Sequence, residues 1–251
     1  MGIRQKILEI LQLRSEGLRI RDVRVGLGYT AIQLEDGRTG VAYTLGKETM
    51  RGCSALGALR PMVGKSAGDF LRLLESRDSL ESVLGLATAN ALANVAPSRG
   101  FRGDVLDTLN PLPSDKVGMI GYFGPLVPTL ELKVAELEIF DEHSEFTGPV
   151  RPAAEAHEYL STCDIALITS TTIINNTIDQ LLESASRCRD IVLLGSSTPL
   201  LAEAFVDTPV TILSGITVDD SAGILRVISE ACGTRFFKPY VTKWNLLLRD
   251  N

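Results

Sequence analysis

Four apolar runs in the second half of this chain each end in a cluster of small residues. They are Lys116–Gly121 before Tyr-Phe-Gly-Pro, Asp164–Thr169 before Ser-Thr-Thr, Ile191–Gly195 before Ser-Ser-Thr-Pro, and Val210–Leu213 before Ser-Gly. Each is followed by a helix-like pattern. Such runs are strands buried on both faces, and their alternation with helices argues a parallel, doubly wound α/β sheet. The expected strands are 117–121, 136–140, 165–169, 191–194 and 210–213, with helices near 127–134, 152–160, 172–186, 199–205 and 219–231. In this architecture ligands bind at the carboxyl ends of the strands, where the small-residue turns gather.

The first half follows other rules. Ile3, Ile7, Ile10, Leu11 and Leu18 recur at helical spacing and predict an amphipathic helix ending near Gly17. Residues 19–25 and 29–34 alternate as strands do, and Glu35-Asp36-Gly37-Arg38 supplies a turn into a third strand at 39–44. Helices are expected over 66–75 and 79–94, the second rich in alanines that admit close neighbours. This is an α+β unit with strands first and helices after. Pro97, Gly100, Gly103, Pro111 and Pro113 punctuate the stretch between the halves, so the expected units are residues 1–100 and 101–251.

A chain of 251 residues with 45% hydrophobic content has ample material for such cores. A net charge of -6 argues against nonspecific nucleic-acid binding, which needs a basic face. No apolar stretch is long enough to cross a bilayer, and charges run through residues 1–15 where a signal peptide needs an uncharged core. The expectation is a cytoplasmic protein, with its oligomeric state open. Cys53, Cys163, Cys188 and Cys232 are scattered and form no CxxC pair, which signals neither a zinc ribbon nor a disulfide framework and leaves reduced, buried thiols as the default. Two histidines, His143 and His157, offer no compact metal-ligand spacing, so no protein-held metal is expected.

The candidate chemistry lies at the strand ends. Gly121-Tyr122-Phe123-Gly124-Pro125 stands between strand and helix, where a Rossmann protein brings its backbone to a cofactor, although the spacing is not GxGxxG. About twenty residues on, Asp141, with Glu142 beside it, occupies the place of the acid that binds ribose hydroxyls. The alternative is that the glycines serve the turn alone and the acid is solvated. In Thr169–Thr177, Thr171 or Thr172 is expected to cap a helix, and Ser170, Asn175 and Asn176 exceed what one cap requires. Ser197, Thr198 and Pro199, and then Ser214 and Gly215, repeat the pattern. Helix starts of this kind present N–H and hydroxyl donors that suit an anionic or carbonyl-rich ligand. Cys53, among loop-like neighbours, is the candidate reactive thiol, with a structural cysteine the better reading for want of a demonstrable base beside it, and His143, just after Asp141, is a candidate general acid or metal ligand, with a surface loop histidine the commoner case. GxSxG and GxxxxGK[ST] are both missing.

Gly-Tyr-Phe-Gly-Pro at 121–125, Thr-Ser-Thr-Thr-Ile-Ile-Asn-Asn-Thr at 169–177, Leu-Gly-Ser-Ser-Thr-Pro-Leu at 194–200 and Gly-Leu-Ala-Thr-Ala-Asn-Ala-Leu at 85–92 together resemble the heavy-metal chelation family, formerly a domain of unknown function. The resemblance implies an enolase amino-terminal-like first unit, a Rossmann-like second unit and a cleft between them. It adds Tyr43 and Asn90 as candidates facing that cleft. It links the chain to metal-binding small molecules of pterin, flavin or siderophore type, with an organic chelator and not the protein supplying the metal's ligands. The cofactor is unknown. Asp141, Asn175 and Asn90 are the catalytic candidates for a condensation or hydrolysis, with Asp141 binding a hydroxyl or moving a proton. The alternatives are a noncatalytic carrier and, ranked lower, a methyltransferase using S-adenosylmethionine.

Overall fold

The computed structural model describes residues 1–45, 54–142 and 150–249, so Cys53 and His143 lie outside the described residues. It contains a three-stranded antiparallel sheet and an eight-stranded mixed sheet. The small sheet runs in the order β1 (Ile20–Val25), β2 (Tyr29–Leu34), β3 (Thr39–Tyr43). Its two faces follow from alternation along β2: Ile32 and Leu34 join the core that includes α1 (Ile3–Arg14), α2 (Ala67–Arg72) and α3 (Ser79–Ala93). Ala31 points the other way and packs with Val41 against residues 224–228.

Helix α3 is the pivot of the molecule. Asp78 caps it by accepting from the Leu80 and Glu81 N–H groups, and all its residues from Leu80 to Ala93 except Glu81 are buried. A helix buried on all sides belongs inside a protein, and here it packs against β2 and β3 and against α1 and α2. Its alanines bring β3 so near that a Cβ on Gly40 would collide with the backbones of Ala87, Asn90 and Ala91.

The large sheet contains β4 (Phe101–Arg102), β5 (Lys116–Ile120), β6 (Glu136–Asp141), β7 (Val150–Pro152), β8 (Ile165–Thr169), β9 (Asp190–Leu194), β10 (Ile212–Val218) and β11 (Val241–Leu247), in the order 4-11-10-9-8-5-6-7. From β10 to β7 all neighbours are parallel, while β11 pairs antiparallel with β10 and with β4. The chain moves outward from β5 through β6 to β7, then returns to place β8 on the other side of β5. That reversal creates a switch point between β5 and β8. Further helices are α4 (Val105–Leu109), α5 (Val127–Lys133), α6 (Ala156–Leu160), α7 (Thr171–Ile174), α8 (Ile178–Ser184) and α9 (Ser221–Ser229).

Several expectations need correction. The helix expected at 172–186 is broken into α7 and α8, because Asn176 takes a left-handed φ of 61° and the Asn175 side chain accepts from the backbone and hydroxyl of Thr177 in place of helical bonding. Arg4 replaces the lost partners: its Nε donates to the Ile173 carbonyl at 2.6 Å and its terminal nitrogen to that of Ile174. No helix starts at Pro199; only a short 3-10 turn forms at Ala202–Phe205. The strand expected at 210–213 instead spans Ile212–Val218, which puts Ser214 and Gly215 inside it. β4, β7, β11 and α4 escaped the sequence reading, the last within the presumed connection.

Gly40→Ala is expected to cost about 2–3 kcal/mol, since rigid backbone and no flexible side chain must give way. Urea denaturation of the variant beside the parent protein measures it.

Candidate functional site

The switch point opens into a cavity of about 700 Å³. One wall is the loop after β5. Gly121 turns there with φ of 87°, and a Cβ on it would lie 2.9 Å from the Thr169 methyl group, so glycine lets the β5 and β8 loops touch. The Tyr122 N–H donates to Asp141 Oδ2 at 3.0 Å and ties this loop to the end of β6. Tyr122, Phe123, Pro125 and Asp141 all line the space, with Glu142 beyond.

The second wall follows β8. Its first helical residue is Thr171, preceded at the cap position by Ser170, one residue earlier than expected. Ser170 does not cap with its side chain: its hydroxyl pairs with that of Thr198 at 2.6 Å, inside the protein and off the cavity wall. Thr172 donates its hydroxyl to the Thr169 carbonyl at 2.6 Å. Thr171, Thr172, Asn175 and Thr177 face the cavity.

The third wall is the turn after β9, where Gly195 and Ser196 border the space and Ser197, itself buried, lies just behind them. Next to it, alternation and register place Leu194, Ser214, Ile216 and Lys243 on one face of β9, β10 and β11. The roof is the small sheet, through Tyr29, Tyr43 and Leu45. Tyr29 meets Tyr43 edge-on at 5.4 Å between ring centroids and Phe237 at 4.9 Å. Burial among these rings, with Tyr43 adding to it against a hydrogen bond from Ser196, pushes the Tyr29 phenol up to about 12.

Roof and walls are joined by backbone groups that β3, an edge strand, leaves unpaired. The Tyr43 N–H donates to Ser197 Oγ at 2.8 Å, and the Val41 carbonyl accepts from Asn90 Nδ2 at 2.8 Å. The same Asn90 amide donates to the Ser197 carbonyl at 3.0 Å. Asn94, one turn on, bridges the Thr198 and Ile216 carbonyls and accepts from the Leu200 N–H. Asn90 therefore lies behind the wall, 1% exposed, and acts as a tie.

Of the residues singled out from sequence, the cavity gathers Gly121, Tyr122, Phe123, Pro125, Asp141, Thr171, Thr172, Asn175, Ser197, Ser214, Gly215 and Tyr43. Gly124, Ser170, Thr198 and Asn90 fall outside its lining. Sequence reasoning missed Tyr29, Ser196, Asp104, His157 and Lys243. Ser196 adjoined a motif already noted and could have been found; Lys243 sits on a strand whose short alternation carried no separate turn signal. The described lining carries three carboxylates, Asp104, Asp141 and Glu142, against the single ammonium of Lys243. Among the described residues no group of three or more His, Cys, Asp or Glu side chains could hold a metal ion.

Known proteins share this fold. The family model described as Putative heavy-metal chelation matches residues 104–247, and a second model of the same description matches residues 8–93. The chain belongs to the Putative heavy-metal chelation family. An uncharacterised relative from Methanocaldococcus jannaschii is 25% identical, with 97% of this chain and 96% of the relative aligned. Crystal structures of family members of unknown function share the fold. One from Pyrococcus horikoshii has a TM-score of 0.87 at 23% identity, covering 98% of this chain and all of the other. Another, from Desulfitobacterium hafniense, has a TM-score of 0.78 at 22% identity, covering 97% and 98%. The heavy-metal chelation family thus supplies both a fold and a description for this chain, and no helix among the described residues is long and apolar enough to cross a membrane.

Two outcomes are expected here. Asn90→Ala strips the donor from two buried carbonyls and should cost about 2–3 kcal/mol in urea denaturation. A phenol whose pKa is higher folded than unfolded stabilises the protein fully below pH 10 and loses that contribution as pH rises toward 12. Denaturation curves across that alkaline window should therefore fall more steeply for the parent protein than for Tyr29→Phe.

Proposed function

We propose that the cavity binds a small, planar, metal-chelating metabolite, of pterin, flavin or siderophore type, as its metal complex. The observation that carries this reading is the mixture in the lining: aromatic rings of Tyr29, Tyr43, Tyr122 and Phe123, hydroxyls of Ser196, Ser197, Ser214 and Thr171, and three carboxylates opposing one ammonium. Rings suit a flat conjugated ligand. Hydroxyls and Lys243 suit its oxyanions, and the carboxylates complement the positive centre of a chelate, where a purely anionic ligand would meet repulsion. The sequence pointed to an anionic ligand; the acidic lining favours one whose charge is offset by a bound cation. The lack of a ligand cluster among the described residues supports a metal arriving already held by its chelator.

On this reading residues 1–100 provide the roof and residues 101–251 the walls of a cytoplasmic metabolite-binding protein. Asp141, held by the Tyr122 N–H, is the group placed to bind a ligand hydroxyl or to accept a proton. Asn175 already accepts from Thr177, which leaves its amide nitrogen for the ligand side. Product analysis after incubation separates an enzyme from a carrier: turnover means the former, and retention of unchanged ligand the latter.

Thermal denaturation with 2,3-dihydroxybenzoate, a pterin and a flavin mononucleotide, each with and without ferric ion, tests the proposal. A ligand at a hundred times its dissociation constant adds about 2.7 kcal/mol, a rise of roughly 5–10 °C for a chain of this size. The ferric complex of at least one is expected to give the larger rise, with affinity falling about tenfold in Phe123→Ala through loss of ring contact. Equal responses with and without metal, or no response to any of the three, would overturn it.

A further inference from the structure

At the amino ends of two central strands of the large sheet, two cysteines 25 positions apart are brought into contact. Cys163 precedes β8 and Cys188 precedes β9, and these strands are parallel neighbours whose first paired residues are Ile165 and Asp190. The two Sγ atoms lie 3.4 Å apart, and both also reach the Leu160 carbonyl, at 3.6 and 3.5 Å. Cys163 is 5% and Cys188 7% exposed. Cys232, by contrast, has its thiol directed to the Glu230 carbonyl.

We propose that Cys163 and Cys188 are a reversible dithiol–disulfide pair whose oxidation ties down the segment carrying one wall of the cavity. The chain between them contains β8, α7, the break at 175–177 and α8, and so includes every cavity residue from Thr169 to Leu181. A disulfide requires about 2.05 Å between sulfurs, so the pair must close by roughly 1.4 Å from its present 3.4 Å. The inference rests on the fold alone and stands whether or not the cavity holds a metal chelate.

The oxidant is a hydroperoxide, small enough for thiols so nearly enclosed. A hydrogen bond from the Cys188 thiol holds Cys163 below the usual thiol range, and the same contact with burial pushes Cys188 up. Either sulfur can donate across the 3.4 Å contact, so the two roles are interchangeable, and the order with Cys163 as the attacking thiolate stands for both. Its sulfur bonds to one peroxide oxygen, the O–O bond breaks, and the departing hydroxide takes up the proton lost by Cys163 to leave as water. The Cys188 sulfur then displaces hydroxyl from the Cys163 sulfenic acid, the S–S bond forms, and the second water carries away the Cys188 proton. Two electrons pass from the sulfurs to the peroxide, and a dithiol reductant reverses the process.

The test treats the full chain with hydrogen peroxide, blocks remaining thiols with iodoacetamide and maps a non-reducing digest by mass spectrometry. The expected digest holds one linked peptide pair joining Cys163 to Cys188, about 2 Da, the mass of two hydrogens, lighter than the sum of its two reduced peptides. Its melting temperature should rise by roughly 5–10 °C, fall back with dithiothreitol, and show no rise in Cys188→Ser. Amide exchange over 169–177 should slow on oxidation. A bridge through Cys53 or Cys232, intact thiols at 163 and 188 under peroxide that oxidises Cys232, or a lowered melting temperature would overturn the proposal. If the serine variant does not fold, the linkage map of the parent protein alone decides.

Discussion

An edge strand must find partners for its outward backbone groups, and β3 finds them in another part of the chain. Asn90 and Ser197 take up its carbonyl at 41 and its N–H at 43. These bonds place the small sheet over the carboxyl ends of the large one, and they explain why the roof has one position. Asn90 serves two backbones at once, so α3, β3 and the turn after β9 cannot shift independently. Gly40 completes the arrangement by letting strand and helix meet backbone to backbone. The roof of the cavity and the turn after β9 inherit their relative positions from this junction.

The switch point contributes the other half. Because β8 returns to the opposite side of β5, the loops after both strands part and leave a crevice, which would be filled in a sheet that grew in one direction. Gly121 keeps the crevice narrow at its base, and Asp141 holds the loop above it. Arg4 acts from a distance on the same wall by supplying donors where α7 stops. The wall is thus set partly by residues that line the cavity, Gly121 and Asp141, and partly by Arg4, which does not.

The parallel strands other than β7, the small sheet and the helix rich in alanine were legible in the sequence, the first as apolar runs ending in small residues, the second by alternation and the third by its composition. The loops at 121, 171 and 197 were legible because small residues after apolar runs have few other uses. What was not legible depends on distant partners. Ser170 and Thr198 were indistinguishable from their exposed neighbours until folding paired them with each other. Asn90 was a ligand candidate only through the family resemblance, and its amide serves a strand edge instead. The helix expected through 175–177 failed because side-chain bonding by Asn175 competes locally with the helical ladder. Cys163 and Cys188 showed no spacing motif, since adjacency there is created by neighbouring strands.

The antiparallel strand β11 lies between β10 and β4, although β4 is synthesised long before it. On a ribosome, β4 must wait without its pairing partner until the last strand of the large sheet emerges, while the small sheet and α3 have already had time to assemble. Lys243, the cavity's one described ammonium, rides on that late strand. A nascent chain can therefore pair the strands of its small sheet well before Lys243 joins the lining of the cavity.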